Sequence, residues 1–250
     1  MARYKLIIGY DGTDFHGYQR QRNERTIQAV LEGALFQLNW TGKAILSAGR
    51  TDTGVHASGQ VVALDLNWAH PADELLQALN AHLPLDVSVK EITLTNDEFH
   101  PRYDAGSRTY QYSIYNSPTR DPLKDRYAWR VWPRMEKNLL SESARLFLGA
   151  HDFSSFGSAP KKDGSTERWV FDTHWAMEGD EYLFEITANA FLYHMVRRIV
   201  FLEVMVGLGK LGVMELQAAI DDKKVLKSGI APACGLTLKK VNYQHTDYQE

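Results

Sequence analysis

"RTYQYSIYN", residues 108–116, puts Tyr110, Tyr112 and Ile114 on one face of a strand and Thr109, Gln111 and Ser113 on the other. Downstream, a Pro- and Arg-containing loop (117–134) precedes a helical pattern with Leu140, Ala144, Phe147 and Leu148. "GSAPKKDGSTER" (157–168) is a loop by composition, "YLFEITA" alternates as a strand, and residues 189–206 read as a helix that is apolar nearly all round. "GLTLKKVNY" closes the chain's pattern with a strand.

Upstream the same grammar recurs. "RYKLIIGY" reads as a strand closed by the turn Asp11-Gly12, and Thr26 stands as an N-cap before Ile27, Val30, Leu31, Ala34, Leu35 and Leu38 at helical spacing. "GQVVALDL" (59–66) is a strand, Pro71 opens a helix through "ADELLQALNAHL", and "VSVKEITL" returns as a strand. The halves share an order of elements but little residue-level repetition. The pattern predicts an α+β fold of two related ferredoxin- or RRM-like subdomains, 1–106 and 107–250. They are expected to share a central, mostly antiparallel sheet with helices packed on it and an active-site cleft between the halves.

At 250 residues, 44% of them apolar and 24% charged, the chain has ample material for globular cores. A single cysteine, Cys234, excludes an internal disulfide framework and fits a reducing cytoplasm. No segment offers an uncharged membrane span. The nine histidines show no HExxH spacing, and one cysteine cannot build a thiolate zinc site, so no metal is expected. The net charge of −3 argues against a generic polyanion binder. The charge is unevenly spread, however: residues 65–98 carry seven acids against Lys90 alone, whereas bases gather elsewhere. These are Arg20, Arg22 and Arg25, then Arg102, Arg108, Arg120, Lys124, Arg126, Arg130 and Arg134, and later Lys161, Lys162, Arg168, Arg197, Arg198, Lys223, Lys224 and Lys227. They are either scattered solvated charges or, if the fold collects them, a local phosphate-binding groove.

Three features carry chemistry. "SAGRTDTGVH" (47–56) sets Asp52 between Arg50 and Gly54, which suits either an ordinary turn or a reactive carboxylate. Arg197 lies in the apolar 189–206 segment, flanked at helical spacing by Tyr193, Val200, Phe201 and Val204. A guanidinium there either snorkels to water or needs an anionic partner, and Glu203 is on another face, which leaves Asp52 as a candidate. The tyrosines of 108–116 are either core packing or, beside arginines, a surface for an extruded base.

Taken together, the chain resembles the bacterial tRNA pseudouridine synthase A family (tRNA-uridine isomerase I) nearly end to end. "YDGTDFHGYQRQ" (10–21), "AGRTDTGVHASGQVV" (48–62), "NAHLPLDVSV" (80–89), "FHPRYDAGSRTYQYSIYN" (99–116), "GAHDFSSF" (149–156) and "NAFLYHMVRRIV" (189–200) match its motifs in order. Departures are Thr53 where many relatives carry alanine, Phe201 where a glycine commonly follows the HMVR segment, and Thr109 before Tyr110 in place of arginine. The resemblance implies that Asp52 is the catalytic aspartate, that Arg50 helps hold the flipped-nucleotide site open, that Tyr110 lies against the target base, and that Arg197 pairs with Asp52. It also implies a cytoplasmic homodimer without metal or nucleotide cofactor, modifying uridines at positions 38 to 40 of the tRNA anticodon arm. A catalytically silent RNA-binding α+β module is the rival reading, and a hydrolase using Asp52 as nucleophile a more distant one. No second carboxylate stands at a recognisable spacing for the latter.

Overall fold

The computed structural model describes residues 1–161, 163–223, 226 and 228–243. The chain forms two compact units, residues 1–106 together with the chain from Thr237 onward, and residues 107–236. Both are α+β.

In the first unit, β1 (Ala2–Tyr10) leads to α1 (Ile27–Gln37), the short β2 (Leu46–Ser47), β3 (His56–Leu66), α2 (Ala72–His82) and β4 (Val87–Thr95). β1 is central, pairing antiparallel with β3 (Leu6 opposite Val62) and with β4 (Leu6 opposite Ile92). That register puts Leu6, Val62 and Ile92 on one buried face, and Leu31 and Leu35 of α1 and Leu75 and Leu79 of α2 are fully buried as well. Each such leucine contributes about 1.5–3 kcal/mol on leaving water. Thr26 occupies the cap position of α1, but its side chain makes no capping hydrogen bond. It is buried rather than turned back on the helix.

The second unit contains β5 (Ser107–Asn116), β6 (Trp129–Val131), α3 (Lys137–Arg145), β7 (Gly149–Asp152), β8 (Glu167–Glu178), β9 (Glu181–Ala188), α4 (Met195–Gly207) and α5 (Val213–Asp221). Its strands run in the order β5-β9-β8-β7, with β6 paired to β5. Tyr112 and Ile114 of β5 lie opposite Phe184 and Tyr182 of β9, and all four are buried. α3 packs on α4, α5 and β8.

Two expectations are corrected. The helix expected from Asn189 starts only at Met195, because His194 adopts a left-handed conformation (φ 66°) and ends a non-helical approach. Tyr193 is held there by a bridge to Ser158, so it is not a helical neighbour of Arg197. The second unit was expected to run on to residue 250, yet β10 (Leu236–Asn242) pairs in parallel with β3, Thr237 opposite His56, and so belongs with the first.

The α3–α4–β8 packing encloses an acid. Glu203 of α4 is fully buried and accepts hydrogen bonds from Ser143 Oγ (3.2 Å) and Trp175 Nε1 (3.2 Å). Burial pushes its carboxyl well above the usual range, against the opposing effect of these two bonds. Because the folded value lies above the unfolded one, its contribution to stability is complete below the unfolded pKa and is lost as pH rises through the folded value. Glu203→Gln is therefore expected to melt several degrees above the parent at alkaline pH, the two curves converging in acid; parallel melting curves across pH would remove Glu203 as the cause.

Candidate active site

The Asp52 loop spans the gap between β2 and β3 and is held from three sides. Tyr10 Oη and Thr51 Oγ1 share a buried 2.8 Å hydrogen bond, and Gln60 Nε2 donates to the Gly49 carbonyl (3.0 Å). Burial pushes the Tyr10 phenol up to about 12, with its hydrogen bonds opposing, so it stays protonated at neutral pH. From the other side comes the "YDGTDFHGYQ" segment: Tyr18 N donates to the Thr51 carbonyl (3.0 Å) and Gly54 N to the Phe15 carbonyl (3.4 Å). Within the loop, Val55 N donates to the Asp52 carbonyl (3.2 Å).

Two glycines make this approach possible. Gly54 has φ 77°, and Gly17 has φ 85°, where an added Cβ would sit 2.9 Å from the Thr51 carbonyl oxygen. Gly49, also in the loop, has open space at the corresponding position, so the bend itself does not demand a glycine there. The result is a rigid loop with a buried Thr51, a half-buried Asp52 and an exposed Arg50. A loop braced this firmly fixes the backbone from which the Asp52 carboxylate projects, which a mere turn does not require.

The segment that braces it is itself pinned. Arg20 pairs with the buried Glu32 (2.6 Å), and Arg25 forms a two-pronged pair with Asp86 (2.7 and 2.9 Å) while lying over the Phe15 ring (4.0 Å). Other bases on the sequence's list are similarly engaged: Lys124 with Glu181, Arg134 with Asp180 and Lys223 with Asp152. Lys162, Lys224 and Lys227 lie outside the described residues. The count of basic residues therefore overstates the charge left over for a ligand.

The second unit carries the other two candidates. Tyr110 is half-buried on β5, whereas Tyr112, two residues on along the same face, is fully buried. The ring of Tyr110 meets Phe191 edge-on, with centroids 5.0 Å apart. The alternation in the sequence is thus split by depth: Tyr112 is core, and Tyr110 is only half-buried. Arg197, in the first turn of α4, is half-buried, and its Nε donates to the Ala231 carbonyl (2.8 Å). Sequence reasoning missed Tyr10, Gln60 and the 229–232 segment as supports. Buried hydroxyl and amide contacts between distant positions leave no local signature.

Each unit thus presents candidate site residues: the braced loop of Asp52 in the first, and Tyr110 of β5 and Arg197 of α4 in the second. Comparison with known proteins gives the class. The sequence profile of the family described as tRNA pseudouridine synthase matches residues 6–104 and 143–244, most of the chain, and the chain belongs to this family of isomerases. Among similar proteins are tRNA pseudouridine synthase A of Acetivibrio thermocellus, 38% identical over 97% of this chain and 100% of the relative, and that of Methylacidiphilum infernorum, 39% identical over 96% and 95%. The same enzyme of Exiguobacterium is 37% identical over 99% of this chain and 100% of its own. Among the described residues no helix is long and apolar enough to cross a membrane.

Proposed function

We propose that this protein converts uridine to pseudouridine at positions 38 to 40 of the tRNA anticodon arm, as a cytoplasmic homodimer, with Asp52 as the catalytic residue. The observation that carries this reading is the loop that immobilises Asp52 through Thr51 and Gly49, in a chain that belongs to the tRNA pseudouridine synthases.

The reaction breaks the N1–C1′ glycosidic bond, turns the uracil, and forms a C5–C1′ bond, C5 giving up its hydrogen as a proton while N1 gains a proton. Stacked bases hide these atoms, so the uridine is first flipped out of the helical arm. Asp52 then acts as a nucleophile towards sugar or base, or as the base that takes the proton. Arg50, exposed two residues before it, holds the space left by the flipped nucleotide, and the half-buried Tyr110 lies against the extruded base. Arg197 supplies the positive charge for Asp52.

Release of tritium from tRNA labelled at C5 of uridine tests the assignment, because only attachment through C5 displaces that hydrogen. A folded protein that binds tRNA and releases no tritium is the silent RNA-binding module instead.

The same assay reads Tyr110. Tyr110→Phe keeps the flat ring and is expected to retain most activity. Tyr110→Ala removes a stacking contact worth about 1–3 kcal/mol, so kcat/KM should fall roughly 5- to 150-fold. A variant that loses activity only in proportion to its unfolded fraction would make Tyr110 a packing residue.

A further inference from the structure

Adjacent arginines begin α4, and the second has no place in the proposed reaction. Its surroundings give it one. Arg198 donates from one terminal nitrogen to the Gly229 carbonyl (2.7 Å) and from the other to the Leu226 carbonyl (2.9 Å). Among the described residues no carboxylate lies within ion-pair distance of it, and burial works against its charge. A half-buried guanidinium spent on two backbone carbonyls is an expensive arrangement for surface packing alone.

What Arg198 grips is the segment that holds Arg197. Ala231 N donates to the Arg197 carbonyl (3.1 Å), and Arg197 Nε donates back to the Ala231 carbonyl (2.8 Å). The neighbouring Gly229 is in a glycine-only conformation (φ 149°), where a Cβ would meet the Phe201 ring at 2.2 Å. Phe201 therefore sets how closely this segment lies on α4, and its ring is also 5.8 Å from the Arg198 guanidinium. Further on, the Pro232 carbonyl accepts a hydrogen bond from Tyr112 Oη (2.7 Å), and Gly235 lies against the Tyr112 ring. The 229–235 segment is thus fastened both to the helix of Arg197 and to the strand of Tyr110.

We propose that Arg198 is a positioning residue: by clamping Leu226 and Gly229 it places the Ala231 carbonyl that fixes the guanidinium plane of Arg197. The inference rests on the functional reading above, in which Arg197 serves Asp52. A planar fork suits this task because it spans two carbonyls at once, which a single ammonium holds less rigidly. Loosening the clamp lets Arg197 rotate while leaving the RNA-binding surface in place. Misplacement by about 1 Å costs up to about a hundredfold in rate.

Steady-state tritium release separates the possibilities. In Arg198→Ala, kcat is expected to fall about tenfold or more with KM for tRNA within about twofold of the parent. Added guanidinium ion, at concentrations too low to unfold the protein, should restore part of the lost kcat in Arg198→Ala and none in Arg197→Met. An unchanged kcat would overturn the proposal, as would a higher KM at constant kcat, which makes Arg198 a direct RNA contact. A lower melting temperature with no rescue by guanidinium would overturn it too. If Arg198→Ala does not fold, Arg198→Lys, which keeps charge and stem but not the fork, is read by the same kcat and KM criteria. A parent protein that releases no tritium defeats the functional reading itself; an active parent with an indifferent Arg198→Ala defeats only this inference.

Discussion

Asp52→Ala is expected to lower tritium release by roughly 10⁴-fold, to the limit of detection, while the protein stays folded and still binds tRNA. The expectation of a folded variant comes from what holds the loop. Its fixed contacts run through Thr51, Gly49, Gly54 and Val55, by way of Tyr10, Gln60, Tyr18 and Phe15, and most use backbone atoms that the substitution leaves in place. Asp52 is only half-buried, so no cavity of consequence opens. Binding should survive because removing a carboxylate near RNA phosphates does not weaken electrostatic attraction, and its steep salt dependence should persist. Parental activity in purified Asp52→Ala would take the catalytic assignment away from this residue and reduce the braced loop to architecture.

That loop shows where a sequence is readable and where it is not. The quoted motif marks Asp52 because Gly, Arg, Thr and Asp stand together, and their resemblance to a family is local. Rigidity is not local. It depends on a tyrosine 42 positions upstream in β1 and a glutamine in β3, whose side chains meet the loop only once the two strands have paired antiparallel. The strands themselves were legible because alternation survives tertiary context: β1, β3, β4, β5, β9 and β10 all fall on stretches read from the pattern.

β2, β6, β7, β8 and α5 were not read, β6 lying within the stretch 117–134 expected to be a loop. β8 mixes exposed polar residues with aromatic ones (Trp169, Phe171 and Trp175), and its register shifts between Val170 and Asp172, so a strict period of two fails. The start of α4 was misread for a different reason. Apolar periodicity continues through "NAFLYHM", but the left-handed His194 interrupts the backbone, and nothing in the hydrophobic pattern reports a single φ angle. The last strand could be recognised as a strand but was assigned to the second unit, because two residues of parallel pairing with β3 carry no sequence signature.

Arg197 lies in α4 with neighbours other than those expected, and its proposed role yields the second large effect. Arg197→Met is expected to fold and to lose nearly as much activity as Asp52→Asn. Methionine replaces the aliphatic stem of a half-buried arginine, so packing in the first turn of α4 is largely retained. The Ala231 carbonyl loses the Nε donor, but Ala231 N still bonds the Arg197 main-chain carbonyl, which the substitution does not touch. A hydrogen bond of this kind contributes about 0.5–1.5 kcal/mol, so a modest drop in melting temperature should accompany the variant. That drop is too small to explain a loss of several orders of magnitude in rate. If arginine and aspartate work as one unit, adding Asp52→Asn to Arg197→Met should cost no more than about a further threefold, far less than Asp52→Asn costs alone. Losses that multiply would mean that the two residues act independently. Full activity in Arg197→Met would show that this arginine serves only to bond Ala231, and Asp52 would then draw its countercharge from another cation, with Arg50 on its own loop the first to test.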